Sequence, residues 1–228
     1  MIRLIAFLGN PGGEYERSRH NAGWLLAERL SFYKTLGWQK KYKGRYTALD
    51  SGQIVQFRAE GRLPELPEKF HFLMPETYMN LSGESVFAAA SFFKIKTDEI
   101  LLVQDELEIP LGALSLKFSG GLGGHNGLRS MKACFGSADF WRLRIGIGRP
   151  NHADIFSWVL SSFSGEEWKT LAPVLDAGAA LLVRTLAEGP EKLLPEWAKK
   201  KIVSEPNKNI DAPLNAERQS GQDALYGN

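Results

Sequence analysis

Apolar residues along the chain switch repeatedly between two spacings. Residues 3–8 form a short continuous apolar run closed by Gly9-Asn10-Pro11-Gly12-Gly13, the pattern of a buried strand feeding a turn. Residues 21–34 then space Trp24, Leu25, Ala27 and Leu30 as one face of a helix. Residues 45–49 and 53–57 read as two strands joined by Asp50-Ser51-Gly52, a hairpin candidate. A short strand follows at 70–73, then a helix over 82–94, with Ser82 as its cap and Glu84 in its first turn. Residues 100–104 are a strand of branched apolar residues ending at Asp105, and 113–118 alternate as another. A glycine-rich loop over 119–127 precedes a helix over 128–135, and 141–147 alternate Trp, Leu and Ile against Arg and Gly. The longest helix is expected over 164–187, opened by a Ser164–Glu167 capping box and stopped by Gly189-Pro190. A last helix over 190–201 is interrupted by Pro195. Strands interleaved with helices predict an α/β architecture.

From about Val203 onward apolar residues thin out in favour of Asn, Pro, Ser, Gln and Gly. Such a segment buries too little to offset its ordering entropy, so the organisation expected is one domain over 1–202 and a flexible tail over 203–228. Hydrophobic residues make up 43% and charged residues 24% of 228, an ordinary globular composition for one sizeable domain.

Charge changes this picture little. A net charge of +2 neither demands nor excludes a nucleic-acid partner. Basic residues cluster at Lys40, Lys41, Lys43 and Arg45 and again at Lys199, Lys200 and Lys201, and each cluster taken alone reads as a solvated face. The one cysteine, Cys134, admits no disulfide within the chain and stands in an apolar helical pattern, where a buried inert thiol is expected. The N-terminal apolar stretch is too short for a signal peptide, and no run approaches a bilayer span, so the cytoplasm is expected.

The four histidines, His20, His71, His125 and His152, form no HxxxH or HExxH pair, and no GxSxG elbow or GxxxxGK[ST] loop is present. No metal or other cofactor is called for. General-base catalysis with water as the nucleophile remains. Candidates for it gather in three polar loops. The first holds Asn10, with His20 and Asn21 at the next helix start. The second runs from Met74 to Gly83 through Met79 and Asn80. The third joins Asp105 to Gly120–Gly127, which includes His125 and Asn126. Each residue alone also has a plainer reading: His20 packs or caps, Asp105 caps a turn, Asn10 makes a turn before Pro11. Asn80-Leu81-Ser82 matches a glycosylation acceptor but lacks a secretory context. The glycine-rich loop is a poor dinucleotide fingerprint because its spacing is wrong.

Together the loops resemble the bacterial peptidyl-tRNA hydrolase family. The resemblance is carried by LGNPGGEYERSRHNAGW at 8–24, MPETYMNLSGESV at 74–86, DELEIPLGALSLKFSGGLGGHNGLRSM at 105–131 and FWRLRIGIGRP at 140–150. It implies a single α/β domain, a twisted mixed sheet flanked by helices, acting as a monomer that cleaves the ester between a peptidyl group and the tRNA 3′-terminal ribose. It implies His20 as base, Asp105 as its partner and Asn10 beside them. It also implies Tyr15, Asn10, Met79, Asn80 and Asn126 as substrate-binding residues, and Lys117 with Arg144 as a clamp for the tRNA 5′ phosphate; the two-residue repeat of a strand puts Arg142 on the face of Arg144, as its expected support. The partner implied is peptidyl-tRNA, with no membrane. The chain departs from the common family pattern at Gln104, Glu108 and Trp141. A relative that kept the fold but only binds RNA or protein is the alternative, and a nucleotide-dependent enzyme using the glycine-rich loop a third reading.

Overall fold

The structure is a computed structural model that describes residues 1–61, 69–150 and 154–203. Its centre is one eight-stranded mixed sheet in the order β2-β3-β4-β1-β5-β7-β6-β8. The strands are β1 (Leu4–Phe7), β2 (Gln39–Lys41), β3 (Gly44–Leu49), β4 (Phe70–Pro75), β5 (Ile100–Glu106), β6 (Ala113–Phe118), β7 (Trp141–Gly146) and β8 (Lys200–Lys201). The middle four, β4, β1, β5 and β7, run parallel, and antiparallel strands finish both sides.

The parallel strands are apolar on both faces because both faces are covered. Ile5 and Phe7 of β1, with Leu101 and Val103 of β5, pack into a large cluster under α1 (Ala22–Ala27), α6 (Gly165–Glu188) and α7 (Pro190–Trp197). Leu4, Ala6, Ile100 and Leu102 face the other way, onto Val86, Ala89 and Ala90 of α3 (Ser82–Phe93) and Leu128 and Met131 of α4 (Asn126–Phe135). Helices α3 and α4 approach until a Cβ added at Gly83 would lie 2.3 Å from the Ser130 carbonyl oxygen. Helix α1 crosses β1 and β5 as closely: a Cβ at Gly23 would lie 2.5 Å from the carbonyl oxygens of Leu8 and Val103.

Several expectations are corrected. No strand follows Asp50: Ser51–Ala59 is a helix, α2, because the Asp50 carboxylate accepts from Gln53 N–H at 2.9 Å while the Gln53 side chain returns to Asp50 N–H. The hairpin lies earlier, between β2 and β3, turned by Tyr42 and Lys43 at φ 54° and 56°. The helix expected over 21–34 is regular only through Ala27 and continues as irregular turns. Ser82 is not the N-cap of α3 but its first residue; the N-cap is Leu81, without a side-chain bond. Cys134 is half-buried rather than buried. Helix α6 is long and apolar enough to cross a membrane, a run the sequence reading did not count, but half of its apolar window packs inside the fold. The Ser164 capping box stands as expected. The expected tail lies outside the described residues except Val203, whose N–H still donates to the Gly112 carbonyl.

Candidate active site

The chain leaves β1 toward the β4 side of the sheet and leaves β5 toward the β7 side. A crevice opens where such connections part, beyond the carboxyl ends of the strands. A cavity of about 780 Å³ lies there, lined by Asn10, Tyr15, His20, Met79, Asn80, Asp105, His125 and Asn126 among others. Its volume suits a small-molecule or peptide-sized group.

Each element delivers its residue for a local reason. The turn after β1 is pressed against the Trp24 indole, so a Cβ at Gly9 would sit 2.8 Å from that ring. Asn21, fully buried, accepts from Asn10 N–H at 2.8 Å and donates to Asn10 C=O at 3.0 Å. The Asn10 side-chain oxygen in turn accepts from Met79 N–H at 2.8 Å. That assignment leaves the Asn10 amide NH₂ as the donor available to the cavity.

His20 sits on a single 3-10 turn, Arg19–Asn21. Its Nδ1 lies 2.9 and 3.0 Å from the two oxygens of Asp105, at the end of β5. His125, the N-cap of α4, places Nε2 3.1 Å from Asp105 Oδ1. The tautomers follow from the partners. Gly127 N–H donates to His125 Nδ1 at 3.1 Å, so His125 carries its proton on Nε2 and donates to Asp105. A carboxylate only accepts, so His20 carries its proton on Nδ1 and keeps a lone pair on Nε2.

The electrostatics agree. Burial opposes ionisation of Asp105, but the two imidazoles beside it, His20 foremost, hold its carboxyl well below the usual carboxylate range. Burial likewise opposes protonation of His20, but Asp105 outweighs it through charge and hydrogen bond, and the His20 pKa ends above its ordinary value of 6.5. Among the described residues His20, Asp105 and His125 are also the one cluster whose ligand-type atoms lie within 4.8 Å of one another. Asp105 there already accepts from both imidazoles.

Asn80 and Asn126 stand exposed at the rim, and Asn126 Oδ1 accepts from Arg129 at 3.3 Å. Met79 is buried, and Tyr15 is half-buried in the wall. Lys117 and Arg144 do not line the cavity. They lie on adjacent strands, where Lys117 is opposite Arg142 and Arg144 is opposite Ser115, so the two are diagonal neighbours on one face. Arg144 donates to Ser115 Oγ at 2.6 Å and to Glu106 at 3.3 Å. Arg142 is buried and donates to the carbonyls of Ser119, Gly120 and Gly121 at 2.7 Å each. It shapes the glycine-rich loop rather than facing solvent.

Two features escaped the sequence reading. His125 was seen only as part of a loop, although it immediately precedes Asn126. Helix α5 (Ile155–Leu160) was missed, and it forms a cavity wall through Ile155, Phe156, Val159 and Leu160. Its signal was Asp154, whose side chain caps Ser157 N–H at 3.1 Å, ahead of an apolar run.

Known proteins resemble this chain in both sequence and fold. The profile described as Peptidyl-tRNA hydrolase matches residues 4–205. The peptidyl-tRNA hydrolase of Treponema pallidum (strain Nichols) is 45% identical over 208 residues, 89% of this chain and 98% of that protein. That of Desulfitobacterium hafniense (strain Y51) is 40% identical over 194 residues, 85% of this chain and 97% of its own. A crystal structure of peptidyl-tRNA hydrolase from Acinetobacter baumannii superposes with a TM-score of 0.71 at 32% identity, covering 86% of this chain and 93% of the other.

Proposed function

The chain belongs to the peptidyl-tRNA hydrolase family, and on that premise we propose that His20 is the general base with which it hydrolyses peptidyl-tRNA. The reaction splits the ester between the peptide and the tRNA 3′-terminal ribose, releasing both. The observation that carries the catalytic assignment is the His20 Nδ1–Asp105 contact at 2.9 Å on the floor of the cleft.

Asp105 accepts from His20 Nδ1–H, which sets the tautomer and supports positive charge on the ring. His20 Nε2 takes a proton from water as that water attacks the ester carbonyl. The Asn10 amide NH₂, held by the Met79 N–H bond on its oxygen, donates to substrate or to the attacking water. Asn80 and Asn126, exposed on the cavity wall, bind the peptide amides and steady the developing oxyanion as neutral donors. The leaving ribose hydroxylate recovers the proton from the His20 imidazolium. Tyr15 and Met79 line the peptide side. Lys117 and Arg144 hold the 5′ phosphate by charge, a contact that positions without reading sequence. The domain that does this spans 1–202, and its cellular place is the cytoplasm, where its substrate is made.

The test is release of tRNA from an N-acetylated aminoacyl-tRNA beside the unacetylated form, in wild type, in His20→Ala and in excess chelator. Cleavage of the acetylated substrate alone, lost in His20→Ala and indifferent to chelator, is expected. A folded wild type that binds tRNA without cleaving it would move the assignment to an RNA-binding relative.

A further inference from the structure

Next to His20 in sequence, Arg19 is a buried cation that the reaction does not use, with its side chain 4% exposed. Its guanidinium donates from Nη1 to the Ser161 carbonyl at 3.1 Å, to Ser161 Oγ at 2.7 Å and to the Ser162 carbonyl at 2.9 Å. From Nη2 it donates to Glu167 at 2.6 Å. The same plane stacks 3.6 Å above the Trp158 ring and lies 5.1 Å from the Phe163 ring. Backbone reinforces it: Arg19 N–H donates to Ser161 C=O at 3.0 Å, and Ser18 bridges Ser162 antiparallel.

Trp158, Ser161, Ser162 and Phe163 lie on or just after α5, while Glu167 stands in the first turn of α6. Ser161 is the C-cap of that helix, so Arg19 sits where a cation favours a helix end. Trp158, under the guanidinium, also donates from Nε1 to the Gly148 carbonyl at 2.9 Å. The same helix gives the cleft Ile155 and Phe156, which are 43% and 66% exposed. A six-residue helix has little stability of its own, so its position depends on what clamps it. Arg19 supplies a planar clamp that donates from both terminal nitrogens, which lysine does not reproduce.

We propose that Arg19 is a positioning residue for the peptide chain: it fixes α5 as the apolar wall that binds peptide residues beyond the one esterified to tRNA. This rests on the reading above that the cleft holds a peptidyl ester. A single acylated residue reaches His20 and the asparagines. A longer peptide also covers Ile155 and Phe156, and the affinity gained there depends on α5 being held.

The experiment compares two substrates on one tRNA, an N-acetyl-aminoacyl ester and an N-acetyl-tetrapeptidyl ester with apolar side chains. Wild type, Arg19→Lys, Phe156→Ala and the double variant are measured. Arg19→Lys should raise KM for the longer substrate relative to the shorter about tenfold, the worth of one apolar side chain's burial. The pH dependence of kcat/KM should stay that of wild type, because the His20–Asp105 pair is intact. Phe156→Ala should move the KM ratio the same way, and the double variant should add little to Arg19→Lys. Should Arg19→Lys fold poorly, Ser161→Ala removes one acceptor from an exposed position and should give a smaller shift in the same direction. Equal KM changes for both substrates, a displaced pH limb, or additive effects in the double variant would overturn the proposal. A wild type that cleaves neither ester would instead refute the hydrolase reading itself.

Discussion

Replacing Asp105 by Asn isolates what the carboxylate does for His20. The side chain keeps its shape and loses its charge and one acceptor oxygen. Two donors converge on it: His20 Nδ1, 2.9 and 3.0 Å from its oxygens, and His125 Nε2, 3.1 Å from Oδ1. His125 cannot change roles, because its Nδ1 accepts from Gly127, so it claims the amide oxygen. His20 then meets an NH₂ at about its present 3.0 Å. The tautomer that fits carries its proton on Nε2 and takes none from water. Both contributions that raise the His20 pKa, the charge and the hydrogen bond of Asp105, vanish together, and burial is left to pull it down. General-base assistance is worth on the order of 10²–10⁴ in rate, and a mis-set tautomer forfeits most of it. The expected fall in kcat/KM is therefore roughly 10²–10⁴, or about 3–5 kcal/mol of transition-state stabilisation. The assay is single-turnover hydrolysis of N-acetyl-aminoacyl-tRNA across about two pH units on either side of neutrality. In wild type kcat/KM should rise with pH through an apparent pKa above 6.5, since only the neutral imidazole accepts and Asp105 holds the proton on it. In Asp105→Asn the residual activity should show that limb at lower pH. A folded variant within tenfold of wild type, or a limb that stays in place, refutes the reasoning.

Three further outcomes follow from the packing. His71, whose Nδ1 lies 2.7 Å from the Tyr46 hydroxyl, is held near pKa 4, first by burial and then by Lys69 and Arg3. Its folded value lies below its unfolded one, so it contributes stability above pH 6.5 that is lost as pH falls toward 4. The limiting slope is about 1.4 kcal/mol per pH unit, and urea midpoints at neutral and acid pH should converge in His71→Gln; an unchanged difference would count against it. Arg142→Met leaves three loop carbonyls without their donor and should cost about 2–4 kcal/mol by chemical denaturation; a loss under about half a kcal/mol would mean that the loop holds itself. Gly23→Ala forces α1 away from β1 and β5, so it should lower stability by about 1–3 kcal/mol and reduce kcat as well, because the His20 turn leads directly into that helix. A thermal scan and one rate would show whether the two losses come together.

What the sequence disclosed follows from the range of each interaction. The parallel strands were legible because both faces are buried and their apolar runs are continuous. The Ser164 box was legible because both of its partners lie within four residues. Asp50 and Gln53 form the same kind of box, but the branched residues between them and Phe57 resemble a strand, and a helix with almost no amphipathic face offers nothing to contradict that reading. His20 and Asp105 come within 2.9 Å of each other across 85 residues; no local pattern pairs them, and only the family resemblance did. The Lys117–Arg142 register was invisible for the same reason, as were the bonds from Arg142 to the carbonyls of Ser119, Gly120 and Gly121 that engage it in holding a loop. Helix α5 was missed because six residues are too few to establish a period.

The two sides of the sheet contribute unlike parts of the cleft. His20 comes off the turn that leads into α1, on the larger core, while His125, Asn126 and Met79 come from the layer of α3 and α4. Asp105 sits between, on the sheet itself. Neither layer alone holds a working fragment of the machinery, so any sub-global opening that frees one layer abolishes turnover while leaving much of the secondary structure in place. Amide exchange at α4 and at α1 thus reports how often either layer opens, and each opening removes a molecule from the active population.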